Sequence, residues 1–319
     1  MEIPEVRQLA APLTAAMLRP LDPRCHTVQF EEALSPRELE RVALFLSEYP
    51  SVTLRIYGAA TYSNLDFLGA LSRIRRIQIE LFELTDVDGL RFLSPKLDSL
   101  GLGATRKRFS LRAIEQFFAL SDLWIDGHQQ DFDVIGQLHG LRRLSLRSVS
   151  VTDLSALQSL VALTELEIKL GGITDLRVVP TLPALRRFEA WQVRGLAEIA
   201  PVISAPSLRS LHLQSLKGVT SLPSFALAQN LQRLQLESMK RIIDLTPIAE
   251  APALQDLLLI DMGQLQPDSL QPFVNHPTLR AAVLGLNSDR KNSVARLLLG
   301  LPDVRSPDPA RTDLRERAT

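Results

Sequence analysis

The spacing of one leucine phrase limits what this chain can become. LxxLxL opens at Leu141, Leu163 and Leu185, and TDL follows the first two openings at Thr152 and Thr174. Aligned on its first position, the phrase recurs at Ser51, Ile74, Leu97, Leu120, Leu141, Leu163, Leu185, Leu208, Leu231, Leu254 and Leu279, at intervals of 21 to 25 residues. A period of that length marks a solenoid, in which each copy is one turn of chain that buries its apolar side only against its neighbours. The length of 319 residues therefore does not count domains, because an array grows as one rod.

The letters inside a copy give its local structure. The fourth and sixth positions are apolar, as in Leu54/Ile56, Leu100/Leu102, Leu144/Leu146 and Leu234/Leu236. Apolar residues separated by a single polar one follow the period of a strand, with the intervening side chains on the other face. Each copy is too short to return antiparallel, so the strands must stack in parallel, one per coil. Farther along, a short polar residue precedes an apolar one at Asn64-Leu65, Asp86-Val87, Ser110-Leu111, Asp153-Leu154, Asp175-Leu176, Ser221-Leu222 and Asp244-Leu245. These are cap residues for a short helical or 3-10 segment. Pro95, Pro183, Pro206, Pro252 and Pro277 each stand two residues before an anchor, where they end that segment and return the chain to a strand.

Val151-Thr152-Asp153-Leu154 and Ile173-Thr174-Asp175-Leu176, with weaker copies at Leu84-Thr85-Asp86-Val87 and Ile243-Asp244-Leu245, resemble the short ITDLxxL repeats of bacterial internalins, within the leucine-rich repeat superfamily. The resemblance covers residues 51–286. It implies an α/β fold: a right-handed leucine-rich-repeat solenoid with parallel strands on the concave face, short helical or 3-10 segments on the convex face, and helical caps. It also implies an asparagine three residues after the second strand leucine, whose amide serves the bend. This chain has Phe82, Val149, Gly171, Val193, Leu216, Met239 and Met262 there, so the bend is expected to be packed, with water or backbone supplying its hydrogen bonds. The chain shows no signal peptide and no wall anchor, so the surface role of internalins is not carried over.

Four segments are expected. Residues 1–50 hold an irregular stretch, a short strand at 26–30, and a capping helix opened by Ser35-Pro36-Arg37-Glu38, with Leu39, Val42, Ala43, Leu44 and Phe45 on one side. Residues 51–286 hold about eleven repeats. Residues 287–305 hold a C-terminal capping helix with Val294, Leu297 and Leu298 facing inward. The tail 306–319 is polar, proline-broken and expected to be disordered.

Composition excludes several functions. Lys+Arg and Asp+Glu are both 36, which argues against a nucleic-acid partner, since counterion release needs a basic excess. No window approaches the roughly 18 apolar residues of a membrane span. The single cysteine, Cys25, cannot form an internal disulfide, which leans towards a reducing compartment, and the cytoplasm is the expected location. Arginine outnumbers lysine and alanine is abundant, as in GC-rich bacterial genomes. His26, His128, His139, His212 and His276 lack partners at metal-ligand spacing, and no phosphate-binding or nucleophile motif is present. No cofactor, metal or catalytic residue is expected. Asp126-Gly127-His128 looks like a turn signal, and an enzyme would have to place its site on rim loops such as Arg106-Lys107-Arg108.

What remains is the outward side of the strands. Arg55, Tyr57, Arg76, Trp124, Asp126, Arg143, Arg147, Glu165, Glu167, Lys169, Arg187, Glu189, Trp191, His212, Arg233 and Glu237 fall on that register, both tryptophans among them. Tryptophan flanked by Arg and Glu is a typical protein-binding hot spot, which points to a non-catalytic adaptor, regulator or immunity-type inhibitor. The alternative on the same register is structural pairing, for which Arg143, Glu165 and Arg187 would form a ladder. At the C-terminal end Leu258, Ile260, Ala281 and Val283 take outward positions, either covered by the chain's own end or used to bind a second copy in a self-assembling scaffold.

Overall fold

A computed structural model describes residues 5–58 and 62–302 of the chain. It divides into two compact units, Met1–Ile173 and Thr174–Thr319. The expected disorder of residues 306–319, and the end of the 287–305 segment beyond Pro302, lie outside the described residues.

In the first unit the described strands are β1 (Val6–Leu9), β2 (Thr27–Phe30), β3 (Thr53–Tyr57), β4 (Arg76–Glu80), β5 (Ser99–Leu102), β6 (Asp122–Asp126), β7 (Arg143–Arg147) and β8 (Glu165–Lys169). Each pairs in parallel with the next, and the leucine positions stay in register: Leu54 faces Ile77, Leu100 faces Leu123, and Leu144 faces Leu166. In the second unit β9 (Arg187–Trp191), β10 (Ser210–Gln214), β11 (Arg233–Glu237), β12 (Asp256–Ile260) and β13 (Ala281–Leu284) do the same. Phe30 and Phe117 in the first unit, and Phe188, Phe225 and Phe273 in the second, are fully buried among the leucines. Each such side chain contributes about 1.5–3 kcal/mol over leaving it in water.

The array begins earlier than the leucine phrase suggests. β1 and β2 stand before β3, so the stretch expected to be irregular contributes a strand between Pro4 and Pro12. Helix α1 (Pro36–Ser47) starts at the expected capping box, with Ser35 and Glu38 bonding each other's backbone. It links β2 to its parallel neighbour β3 and packs on the 3-10 segment Asp66–Leu71. It thus forms the crossover between two parallel strands. Leu39, Val42, Ala43 and Leu46 form its buried side, while Leu44 faces solvent.

The return segments are mostly 3-10 turns, with one short helix, α2 (Ala200–Ile203), in the second unit, and the small polar residues before them act as expected. The side-chain oxygens of Asn64, Asp86, Ser110, Asp153, Asp175 and Asp244 each accept from the backbone N–H two residues on, at 2.8 to 3.2 Å. Ser221 differs. Two residues after it stands Pro223, which has no N–H to give, and Ser224 instead accepts from Ala226 at 3.2 Å.

The bends after β7 to β12 solve the missing-asparagine problem with main chain. Ser148, Leu170, Gln192, Ser215, Ser238 and Asp261 all take the left-handed conformation, with φ between 51° and 57°. Their turn presents N–H groups to the strand end of the next coil. In the first unit Gly127 donates to the Arg147 carbonyl at 2.8 Å and Ser148 to Lys169 at 2.7 Å. In the second, Gln192 donates to Gln214, Ser215 to Glu237 and Ser238 to Ile260, each at 2.9 Å. Val149, Val193, Leu216, Met239 and Met262 then pack inward, whereas Phe82 stays half exposed.

The C-terminal helix α3 (Asp289–Leu299) is capped by Ser288 and ended by left-handed Gly300. It buries Ala295, not the expected Val294 and Leu297, which are exposed. Beyond it the Pro302 carbonyl accepts from Ala282 of β13 at 3.0 Å, so the segment just after the helix lies against that strand. Leu258 is buried, and Ile260, Ala281 and Val283 are partly covered.

Candidate functional site

Outward side chains of successive strands lie side by side because the parallel register is fixed by the leucines beneath them. In the first unit they form linked ion pairs. Arg55 makes a two-pronged contact with Glu80, both bonds at 2.8 Å, and reaches Gln29 at 3.1 Å. Its guanidinium also sits 4.8 Å from the centre of the Tyr57 ring. Arg76 crosses over β5 to Asp122 at 3.0 Å, and Arg143 approaches the same carboxylate from the other side at 2.5 Å. The Arg76 Nε stays buried without a hydrogen-bond partner. Arg147 contacts Asp126 at 3.2 Å and Lys169 contacts Glu167 at 3.0 Å. Burial raises the Asp126 carboxyl above its ordinary range, against the pull of Ser148 and Arg147. Glu165 stands in register with Arg143, whose guanidinium nonetheless reaches towards Asp122.

That reach is possible because β5 offers almost no side chains on this face. Its outward residues are Ser99 and Gly101, followed by Gly103. Trp124 and Gln78 lean in from either side. A Cβ on Gly101 would stand 2.8 Å from Gln78 Cγ and 3.1 Å from Trp124 Cε3. On the far side of Trp124 is Ser145, also small, which donates to Glu167 at 3.2 Å. Trp124 is therefore a half-buried ring between two short neighbours, framed by pairs of charges.

The second unit carries its own network. Arg187 contacts Glu189 at 3.1 Å. His212 lies between two carboxylates, with Nδ1 3.4 Å from Glu189 and Nε2 3.5 Å from Glu237. Gln235 sits 3.1 Å from the same Nε2 and donates to Glu237 at 2.8 Å, and Gln214 reaches Glu237 at 3.1 Å. Arg233 pairs with Asp256 at 3.2 Å. Trp191 ends β9 half buried, and its Nε1 is enclosed without a hydrogen-bond partner. A groove of about 420 Å³ begins at the next residue, lined by Gln192, Arg194, Ser215 and Lys217 among others.

The sixteen sequence-nominated residues thus stand on strand faces, ten in the first unit and six in the second. Sequence reasoning gave no weight to the empty face of β5, although SLGLG spells it out, nor to Gln29, which precedes the leucine phrase. Among the described residues no three of His, Cys, Asp and Glu gather as a metal-binding group. Cys25 is buried, its thiol pushed up by burial, and it contacts the Thr27 carbonyl.

Among solved structures, the internalin inlF of Listeria monocytogenes superposes with a TM-score of 0.53, over 84% of this chain and 81% of its own, at 18% identity. With one parallel strand per coil and a 3-10 return, that superposition decides the architecture. The fold is the leucine-rich repeat. A leucine-rich-repeat protein of Leptospira interrogans (TM-score 0.44, 89% and 90% covered, 15% identity) and the internalin inlC2 of Listeria monocytogenes (0.41, 78% and 84%, 17%) are also similar. No family model and no curated protein matches the sequence. No described helix of this leucine-rich-repeat chain is long and apolar enough to cross a membrane.

Proposed function

We propose that the chain recognises another protein, without catalysis, through the outward faces of its strands. Trp124 is the principal contact of the first unit and Trp191 that of the second. The observation that carries this reading is Trp124 lying over Gly101. Arg55, Arg76, Arg143 and Arg147 already have carboxylates in part-buried ion pairs, so a pair formed with a partner would only replace one that exists. A partner gains little by competing for them, whereas a buried interfacial tryptophan is worth about 2 kcal/mol or more. The paired charges set orientation and exclude mismatched partners. An adaptor, regulator or immunity-type inhibitor acting in the cytoplasm fits this design, with no nucleic acid, membrane or cofactor involved.

An affinity capture with wild type and with the Trp124→Ala/Trp191→Ala double variant tests the reading. The wild type should recover a partner that the double variant loses, and equal recovery sinks it.

One observation favours a second reading, self-assembly through the C-terminal end. Leu297 is 83% exposed and Val294 47% exposed on one side of α3. Light scattering should then give a mass above 35.5 kDa that Leu297→Glu returns to the monomer value.

A further inference from the structure

His128 follows β6 and is 3% exposed, under the loop that carries Arg106, Lys107 and Arg108. Both of its ring nitrogens are committed to that loop's backbone, in opposite senses. The Phe109 N–H donates to Nδ1 at 3.2 Å, which requires Nδ1 to be unprotonated. Nε2 must then carry the proton, and it faces the Gly103 carbonyl at 3.1 Å. The ring is stacked on that of Phe109, with centroids 5.8 Å apart. One imidazole therefore ties both ends of the 103–109 segment, and only its neutral form can do so.

We propose that His128 is an acid-sensitive latch: neutral, it holds the basic 104–108 loop closed at the rim of the strand face, and protonated, it releases it. A second proton on Nδ1 would set two donors against each other at the Phe109 amide and leave a buried cation in place of a satisfied ring. The loop has few other ties. The Gly103 N–H donates to Ile79 and the Arg106 N–H to Phe82, both at 2.8 Å, and the Arg106 guanidinium meets Glu83 at 2.6 Å, while Lys107 and Arg108 lie exposed. The 103–109 segment is thus the part of the fold that the protonation of one side chain can free without disturbing the leucine core.

The surrounding charges fix the direction. Asp126, two residues away on β6, favours the imidazolium, and behind it stand Arg147 on β7 and Glu80 on β4. Arg108 opposes it from the loop. Burial outweighs the rest and holds His128 below its ordinary value of 6.5. The latch is therefore intact above about pH 6.5 and is lost as the pH falls through the depressed value of the folded protein.

The test is a pH series on the full chain, following the His128 ring nitrogens by NMR and amide exchange in parallel. The Phe109 protection factor should fall at least tenfold as His128 titrates below 6.5, while the amides of β11 keep theirs. Protection of Phe109 unchanged across that titration overturns the latch, as does its loss only together with β11. His128→Asn supplies an acceptor near Nδ1 that takes no proton, so its Phe109 protection should be independent of pH. A variant that retains the wild-type profile also overturns the proposal. Should it not fold, the wild-type titration alone decides.

Discussion

Trp124 rests over Gly101, so close that a single methyl group there would meet its Cε3 at 3.1 Å and Gln78 Cγ at 2.8 Å. Both neighbours are side chains, and they can give way where backbone could not. Gly101→Ala is therefore expected to leave the fold intact, at a cost of about 1–2 kcal/mol in urea melts. It should shift tryptophan emission to the red as the ring is lifted. Emission identical to wild type would show that the ring does not use the glycine.

Gly171 makes the opposite kind of contact. A Cβ there would stand 1.9 Å from the Val149 carbonyl oxygen and 3.0 Å from its carbon, and these are backbone atoms held in the bend. Gly171→Ala must move one coil against the next, and a loss of about 2–4 kcal/mol is expected. Denaturant unfolding of the two glycine variants side by side measures the contrast. Equal losses at Gly101 and Gly171 would refute it.

These two glycines also show what the sequence makes legible. Leucine spacing is a one-dimensional signal, so strand positions, parallel order and caps could be read directly, as at Leu144, Leu166 and Asp153. β1 escaped because VRQL lacks the phrase, and its place depends on pairing with β2, which is a tertiary fact. The exposed face of α3 escaped because Val294 and Leu297 satisfy a helical pattern on either side, and only docking selects Ala295. The strand faces were located but not their partners. Arg76 reaches past its neighbouring strand to Asp122 because Ser99 is short, and no pairwise rule of adjacent strands contains that step.

The caps give a paired prediction. Asp153 accepts from the Ser155 N–H at 2.8 Å, so Asp153→Ala should cost about 1 kcal/mol. Ser221 occupies the same place in its own coil but faces Pro223, so Ser221→Ala should change stability by less than about 0.5 kcal/mol. Thermal melts of the two variants check this, and a loss at Ser221 as large as at Asp153 would mean the cap works through another donor.

Glu38 gives the clearest dependence of stability on pH. One of its carboxylate oxygens accepts from the Leu13 N–H at 2.6 Å, and the other from the Ser35 N–H and hydroxyl at 2.8 and 2.7 Å. The carboxylate thus ties the segment before β2 to the start of α1. These bonds, that from Leu13 first, lower Glu38 from 4.5 to about 2. A depressed carboxyl contributes stability that is fully present above the unfolded value and is lost as the pH falls through the folded one. The wild type should therefore lose Tm between pH 4.5 and about 2 by more than Glu38→Gln does, with the two curves converging at the acid end. The amide keeps one acceptor and cannot titrate, so a variant curve parallel to wild type across that window would assign the acid sensitivity to other carboxylates, Asp175 and Asp244 among them. Those two are also held low by the residues they cap, Arg177 and Thr246, and their variants separate the contributions.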